Sequence, residues 1–205
     1  MYARQCLKLV AGRVCYRRPT TAILPLSRRF ASELPGHRSS STSVEAREAM
    51  AQGTRDLLAG STAAALKSFE LALSLGEATA DTYYNKGVCE YSLGHTDAAI
   101  DSWEQSLALD SSRADVHANI GNAYFLNKRD SKSALSHMKQ AAELAPEDAE
   151  IQFNLGCLYE AAAASDKDGD LKAAIAAYDG AVQLGLEKAK THLRNAMAKQ
   201  MKRQL

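Results

Sequence analysis

The stretch Asp81–Ser112 reads DTYYNKGVCEYSLGHTDAAIDSWEQSLALDSS, and its pattern decides the fold. It divides into two amphipathic helices joined by a tight turn at Gly94. Small residues, Gly87 and Ala99, stand where two antiparallel helices would touch. Tyr83, Trp103, Leu107 and Leu109 fill the space around them. Two helices approach closely only where one contact carries no Cβ bulk, so a Gly–Ala contact beside a large plug is a packing signature.

The same signature recurs on both sides. Gly53, Gly87, Gly121 and Gly156 are spaced by 34, 34 and 35 residues. Each is followed by a second-helix alanine, Ala65, Ala99, Ala134 and Ala174. Four residues beyond each alanine comes Phe69, Trp103, Met138 or Tyr178, and three further on come Ala72, Ser106, Ala141 and Ala181. Leu107, Leu109, Leu144 and Leu184 continue the apolar stripe. Pro146 stands where a helix must stop before the next begins.

The motifs NKG-VCEYSLG…AAIDSWEQSLALD, NIGNAYFL…SALSHMKQAAELAP and NLGCLYEA…AAIAAYDGAVQLG resemble the tetratricopeptide repeat (TPR) family, and EAMAQGTRDLLAGSTAAALKSFELALSLG is a weaker first copy. The resemblance covers about residues 46–188. It implies an all-α fold, a right-handed superhelix (α-solenoid) of four helix-turn-helix repeats over 46–79, 80–113, 114–148 and 149–188, closed by a capping helix over 189–205. Asp81, Asp115 and Ser131 are the N-cap candidates. The third repeat has one extra residue in its turn, Asn127–Ser131, and the fourth about six in Ala161–Leu171; both are expected as surface loops.

Composition agrees with helices packed through small side chains. The 205 residues are 46% hydrophobic but only 6% aromatic, and alanine is abundant after residue 45. The net charge of +1 hides an asymmetry. Residues 1–42 hold eight Lys/Arg and one acid, Glu33, which leaves 17 bases and 23 acids, a net of −6, for residues 43–205. Cys6, Cys15, Cys89 and Cys157 form no CxxC or Cys/His spacing, so neither zinc nor a disulfide framework is expected and a reducing compartment is the default. No apolar run approaches the roughly 20 residues that span a bilayer.

Residues 1–30 have the composition of a mitochondrial transit peptide: basic, acid-poor and amphipathic, with Ala3, Leu7, Val10 and Val14 on one side and Arg4 and Lys8 beside them. A positive helix is drawn inward by the potential across the inner membrane. Arg28-Arg29-Phe30-Ala31-Ser32 resembles a processing site, which puts the mature start near Ala31. A secretory signal needs an uninterrupted apolar core, and Arg13, Arg17 and Arg18 break it. An untargeted basic tail and a chloroplast address share the composition and stay open. Residues 31–45 read as a flexible Ser-rich linker.

Nothing in the sequence calls for catalysis or a cofactor. The histidines are scattered, and HExxH, GxGxxG and GxxxxGK[ST] are all absent from the sequence. Asp166-Lys167-Asp168-Gly169-Asp170 resembles a calcium loop only superficially. From Asp166 the sixth residue is Leu171 and the twelfth Ala177, where an EF-hand needs Gly and Glu, so no metal is assigned. Asp168 or Asp170 is expected to cap the following helix.

In TPR proteins the first helix of each repeat lines a concave groove. The resemblance therefore implies a partner-binding groove of Asp81, Tyr84, Asn85, Val88, Asp115, Asn119, Asn122, Glu150, Phe153 and Asn154. Asn85, Asn119 and Asn154 are equivalent, two residues before each Gly, and an amide both donates and accepts, as an extended peptide requires. Asp81, Asp115 and Glu150 form an acidic row that would favour basic ligands; the same acids also suit helix N-termini. Met50, Tyr84 and Ala118 stand where relatives that clamp the acidic tails of heat-shock chaperones carry Lys or Arg, and an acidic groove equally disfavours RNA. Residues 187–205 form a last helix with Leu193, Met197, Met201 and Leu205 at four-residue spacing among six Lys/Arg. It reads as the solubilising cap of the array, or as a basic amphipathic helix in peripheral contact with a membrane. The expected function is a non-catalytic protein–protein interaction module, an adaptor or assembly factor in the mitochondrial matrix or at the inner-membrane periphery. The alternative is a structural subunit held through its convex face or its C-terminal helix.

Overall fold

In the computed structural model, residues 40–163 and 168–204 are described. They divide into two compact units between Leu109 and Asp110. The expected all-α repeat architecture is found in each, with no strand among the described residues. The transit-peptide reading, Cys6 and Cys15 lie outside the described residues.

The first unit is two helical hairpins: α1 (Ser40–Leu58) with α2 (Thr62–Ser74), and α3 (Ala80–Ser92) with α4 (Thr96–Leu109), α3 also packing on α2. Ser40–Glu45, which composition assigns to the linker, is already helical in α1. The second unit contains α5 (Ala114–Ala123), a π-helical turn (Tyr124–Lys128), α6 (Ser131–Leu144), α7 (Ala149–Ala163), α8 (Asp168–Gln183) and α9 (Glu187–Arg203).

The steric pattern explains the hairpins. A Cβ on Gly87 would lie 2.6 Å from the Trp103 indole and 3.1 Å from the Ala99 carbonyl oxygen. One on Gly156 would lie 2.6 Å from the Tyr178 ring, one on Gly53 2.8 Å from Phe69, and one on Gly121 3.1 Å from the Ala134 carbonyl oxygen. Ala65, Ala99, Ala134 and Ala174 are fully buried beneath these contacts, as are Phe69 and Met138. In the second unit one continuous core runs from Phe125 and Met138 through Leu158 and Tyr178 to Ala189 and Ala196.

The second hairpin turns at Gly94 (φ 86°), where the His95 N–H closes back on the Glu90 carbonyl at 2.9 Å. The third hairpin does this differently. Its extra residue widens the end of the first helix into the π turn, and Arg129 (φ 59°) takes the left-handed position that glycine holds elsewhere. The turn is therefore shorter than expected from the sequence: Asn127 and Lys128 belong to the π turn, and Arg129 and Asp130 remain non-helical. In the fourth hairpin too, the inserted stretch largely extends helices: α7 runs to Ala163 and α8 begins at Asp168.

The caps also differ from expectation. An N-cap needs an extended backbone before the first turn, and Thr79 has it (φ −104°, ψ 161°); its hydroxyl accepts the Thr82 N–H. Asp130 caps α6 through the Lys132 and Ser133 N–H groups, and Asp148 accepts those of Glu150 and Ile151 at the start of α7. Asp81, Asp115 and Ser131 lie inside their helices, and Arg113 occupies the cap of α5 without a side-chain capping bond, its guanidinium pairing with Asp115 instead. Asp170 likewise lies inside α8.

Candidate functional site

The groove candidates fall in both units. In the first, Asp81 is exposed, Asn85 half-buried, and Tyr84 and Val88 are buried. The Tyr84 carbonyl accepts the Trp103 indole N–H at 3.2 Å, which ties this helix face to the packing beneath it.

The second unit holds the more informative set. Asn119 and Asn122 lie three residues apart and so on one side of α5, and Asn154 takes the equivalent place to Asn119 on α7. Asn119 is 5% exposed and Asn154 fully buried. Yet the Asn119 Nδ2, the Asn122 Oδ1 and both amide atoms of Asn154 have no hydrogen-bond partner in the protein. A buried polar group left in this state costs about 1–3 kcal/mol, and most folded proteins contain few of them. Three such asparagines stand on the first helices of two successive repeats, and no hydrogen bond within the protein accounts for the burial of these atoms.

The acids and the aromatic are not free to act as the sequence suggests. Asp115 is paired with Arg113 at 3.0 Å, and its Oδ1 also accepts the Val116 N–H. Glu150 is paired with Lys188 of α9 at 2.5 Å. The Lys188 ammonium also sits 4.7 Å from the Phe153 ring centroid, and His192 meets that ring edge-on at 5.1 Å. Thus α9 packs on Phe153 and pairs with the partly exposed Glu150, and two of the three acids of the row, Asp115 and Glu150, carry a cationic partner within the chain. What α5 and α7 hold without a partner is amide groups rather than negative charge.

Three polar clusters escape a reading based on repeat positions. Lys86 on α3 pairs with buried Glu90 and donates to Ser102 Oγ at 3.0 Å, while Ser102 donates to Glu90 Oε2 at 2.6 Å. The i,i+4 spacing of Lys86 and Glu90 was a visible signal; the Ser102 partner on α4 was not. Glu160 accepts from the Tyr178 hydroxyl at 2.8 Å and pairs with Lys199. In the third hairpin the Nδ1 atoms of His117 and His137 are 3.1 Å apart, and Tyr124 stacks on His137. One imidazole must donate and the other accept, so at least one ring is neutral.

Burial holds the pKa of both rings below the usual 6.5, with His137 adding to the effect on His117. Burial likewise lowers His192, against an opposing pull from Glu160. The unfolded chain thus binds more protons than the folded one below pH 6.5. The resulting stability is present above that pH and is lost as pH falls through the folded pKa values. The urea midpoint should fall on acidification below 6.5, and His137→Gln should flatten that part of the profile.

Cys89 and Cys157 are free and buried; burial, with Glu90 nearby, pushes the Cys89 thiol up to about 12. Such a thiol is not a nucleophile at neutral pH. Among the described residues, no three His, Cys, Asp or Glu side chains cluster as a metal site.

Two family models match the chain: a TPR repeat over residues 89–128 and a tetratricopeptide repeat over 124–189. Among curated proteins none matches. Similar solved structures include MamA 41-end from Desulfovibrio magneticus RS-1, with 22% identity over 77% of this chain and 94% of that one, at a TM-score of 0.64. YrrB, titled a TPR protein with an unusual peptide-binding site, is 19% identical over 76% of each chain, with a TM-score of 0.62. The first TPR of Spaghetti, bound to HSP90 peptide SRMEEVD, is 18% identical over 59% of this chain and 95% of its own, with a TM-score of 0.55. At these identities the likeness establishes the TPR fold.

Proposed function

We propose that this chain is a non-catalytic interaction module that holds a peptide segment of a protein partner against α5 and α7, as an adaptor or assembly factor in mitochondria. The observation that carries the binding is the set of unpartnered amide atoms on Asn119, Asn122 and Asn154, which are buried in the unliganded chain and which a ligand reaches by displacing the side chains over them. A peptide backbone presents alternating N–H and C=O groups, which is what these atoms lack. Solved TPR neighbours include one with a peptide bound and one with an unusual peptide-binding site, which supports the mode of binding. The address rests on the basic, acid-poor residues 1–30.

The test is a cross-linking pull-down from purified mitochondria, with the wild-type chain and Asn119→Ala/Asn154→Ala. Each neutral hydrogen bond contributes about 0.5–1.5 kcal/mol, so the double variant should capture its partner roughly tenfold less or worse. Because the amides lack partners in the protein, the same variant should keep its helical circular dichroism and lose little stability. Unchanged capture overturns the groove assignment, and absence of the native protein from mitochondria overturns the address.

A further inference from the structure

Charge is segregated along the chain. Residues 43–186 hold 11 Lys/Arg against 22 Asp/Glu, a net of −11, whereas residues 187–205 hold six Lys/Arg against Glu187 alone, a net of +5. Helix α9 divides this charge between two faces. Ala189 and Ala196 are buried against the core; Lys188 and Lys199 are committed to Glu150 and Glu160, and Arg203 donates to the Ala163 carbonyl at 2.8 Å. The opposite side carries Lys190, Arg194 and Lys202, all exposed. Between them stand Met197 and Met201, 48% and 65% exposed. Leu193, which the sequence places in the same stripe, is partly buried against the core instead.

We propose that this outer face of α9 is a docking surface for an anionic lipid bilayer. It is the convex side of a single helix, so it suits a flat, deformable surface better than a partner that needs a groove. Two flexible methionines supply the apolar contact, and the outward cations Arg194 and Lys202 supply the attraction. Each cation near an anionic bilayer strengthens binding roughly fivefold. Within the second unit, residues 110–186 hold 7 Lys/Arg against 12 Asp/Glu and are repelled by an anionic surface, so α9 is the part of that unit that the lipid attracts. The ion pairs on the inner side hold the helix in place without using Arg194 or Lys202, while Lys190 is paired with the exposed Glu187 at 2.7 Å.

The test uses the full chain with Cys6→Ser, Cys15→Ser and Met201→Cys, the new thiol carrying an environment-sensitive nitrobenzoxadiazole label. The probe is vesicles of phosphatidylcholine with one third phosphatidylglycerol. A label on α9 reports contact at that helix even if the basic residues 1–42 also bind lipid. The expected result is a blue-shifted label shielded from an aqueous quencher, a shift that fades with added salt and is missing with pure phosphatidylcholine. Arg194→Glu/Lys202→Glu should weaken the label-reported binding at least about tenfold. A label that stays in water while the chain sediments with the vesicles overturns the proposal. A shift produced by unlabelled protein alone also overturns it, because the face would then belong to a second copy.

Discussion

Trp103→Ala should destabilise the first unit by about 3–5 kcal/mol, the range for emptying a fully buried aromatic site. Trp103 is 1% exposed, and its indole N–H is satisfied by the Tyr84 carbonyl. The substitution opens a cavity between α3 and α4 that rigid helix backbones cannot close. It also removes the only tryptophan, so unfolding is followed by circular dichroism in urea. Gly87→Ala alone should cost about 1–3 kcal/mol, because its new Cβ would lie 2.6 Å from the indole and the ring has nowhere to move. In the Trp103→Ala background that clash disappears, so the double variant should be more stable than the sum of the two costs allows. Additive costs would mean that the glycine and the indole are not one packing unit.

Lys86→Met should have the second large effect, about 3 kcal/mol of destabilisation. Glu90 has a side chain only 7% exposed, and without Lys86 its charge would keep just the Ser102 hydroxyl. Removing one partner of a buried pair leaves a charge uncompensated, whereas removing both can be nearly neutral. Lys86→Met/Glu90→Leu should therefore recover most of the lost stability in the same urea titration. A loss below ~1 kcal/mol for Lys86→Met would show that water reaches Glu90 and that the cluster is not a buried one.

How far the sequence could be read depends on how local each cause is. The Gly87–Ala99–Trp103 contact is steric and repeats with the chain's period, so counting residues is enough to find it. The caps needed backbone geometry: Thr79 and Asp148 precede their helices, while the more conspicuous Asp81 and Asp115 fall two residues past the cap position. Asn119 and Asn154 stood out by position, but only the structure shows that their amides lack partners. The pairing of Glu150 and the packing of α9 on Phe153 could not be read at all, because Lys188 lies 38 residues away from Glu150 in sequence. The His117–His137 pair is hidden for the same reason: two unremarkable residues meet across a turn that the pattern expected to be a loop.

The π turn at Tyr124–Lys128 has a consequence for how such a chain can change length. Its extra residue is taken up at the tip of the hairpin, while Gly121 and Ala134 still meet at their usual contact. The longer insertion in the fourth hairpin behaves alike: α7 and α8 reach further, and Gly156 keeps its seat against Tyr178. Each hairpin is thus aligned from its middle outward. The tips form a tolerance zone in which residues can be gained or lost without changing the contacts that define the repeat, so 34 is a habit of this chain's spacing rather than a ruler it must obey.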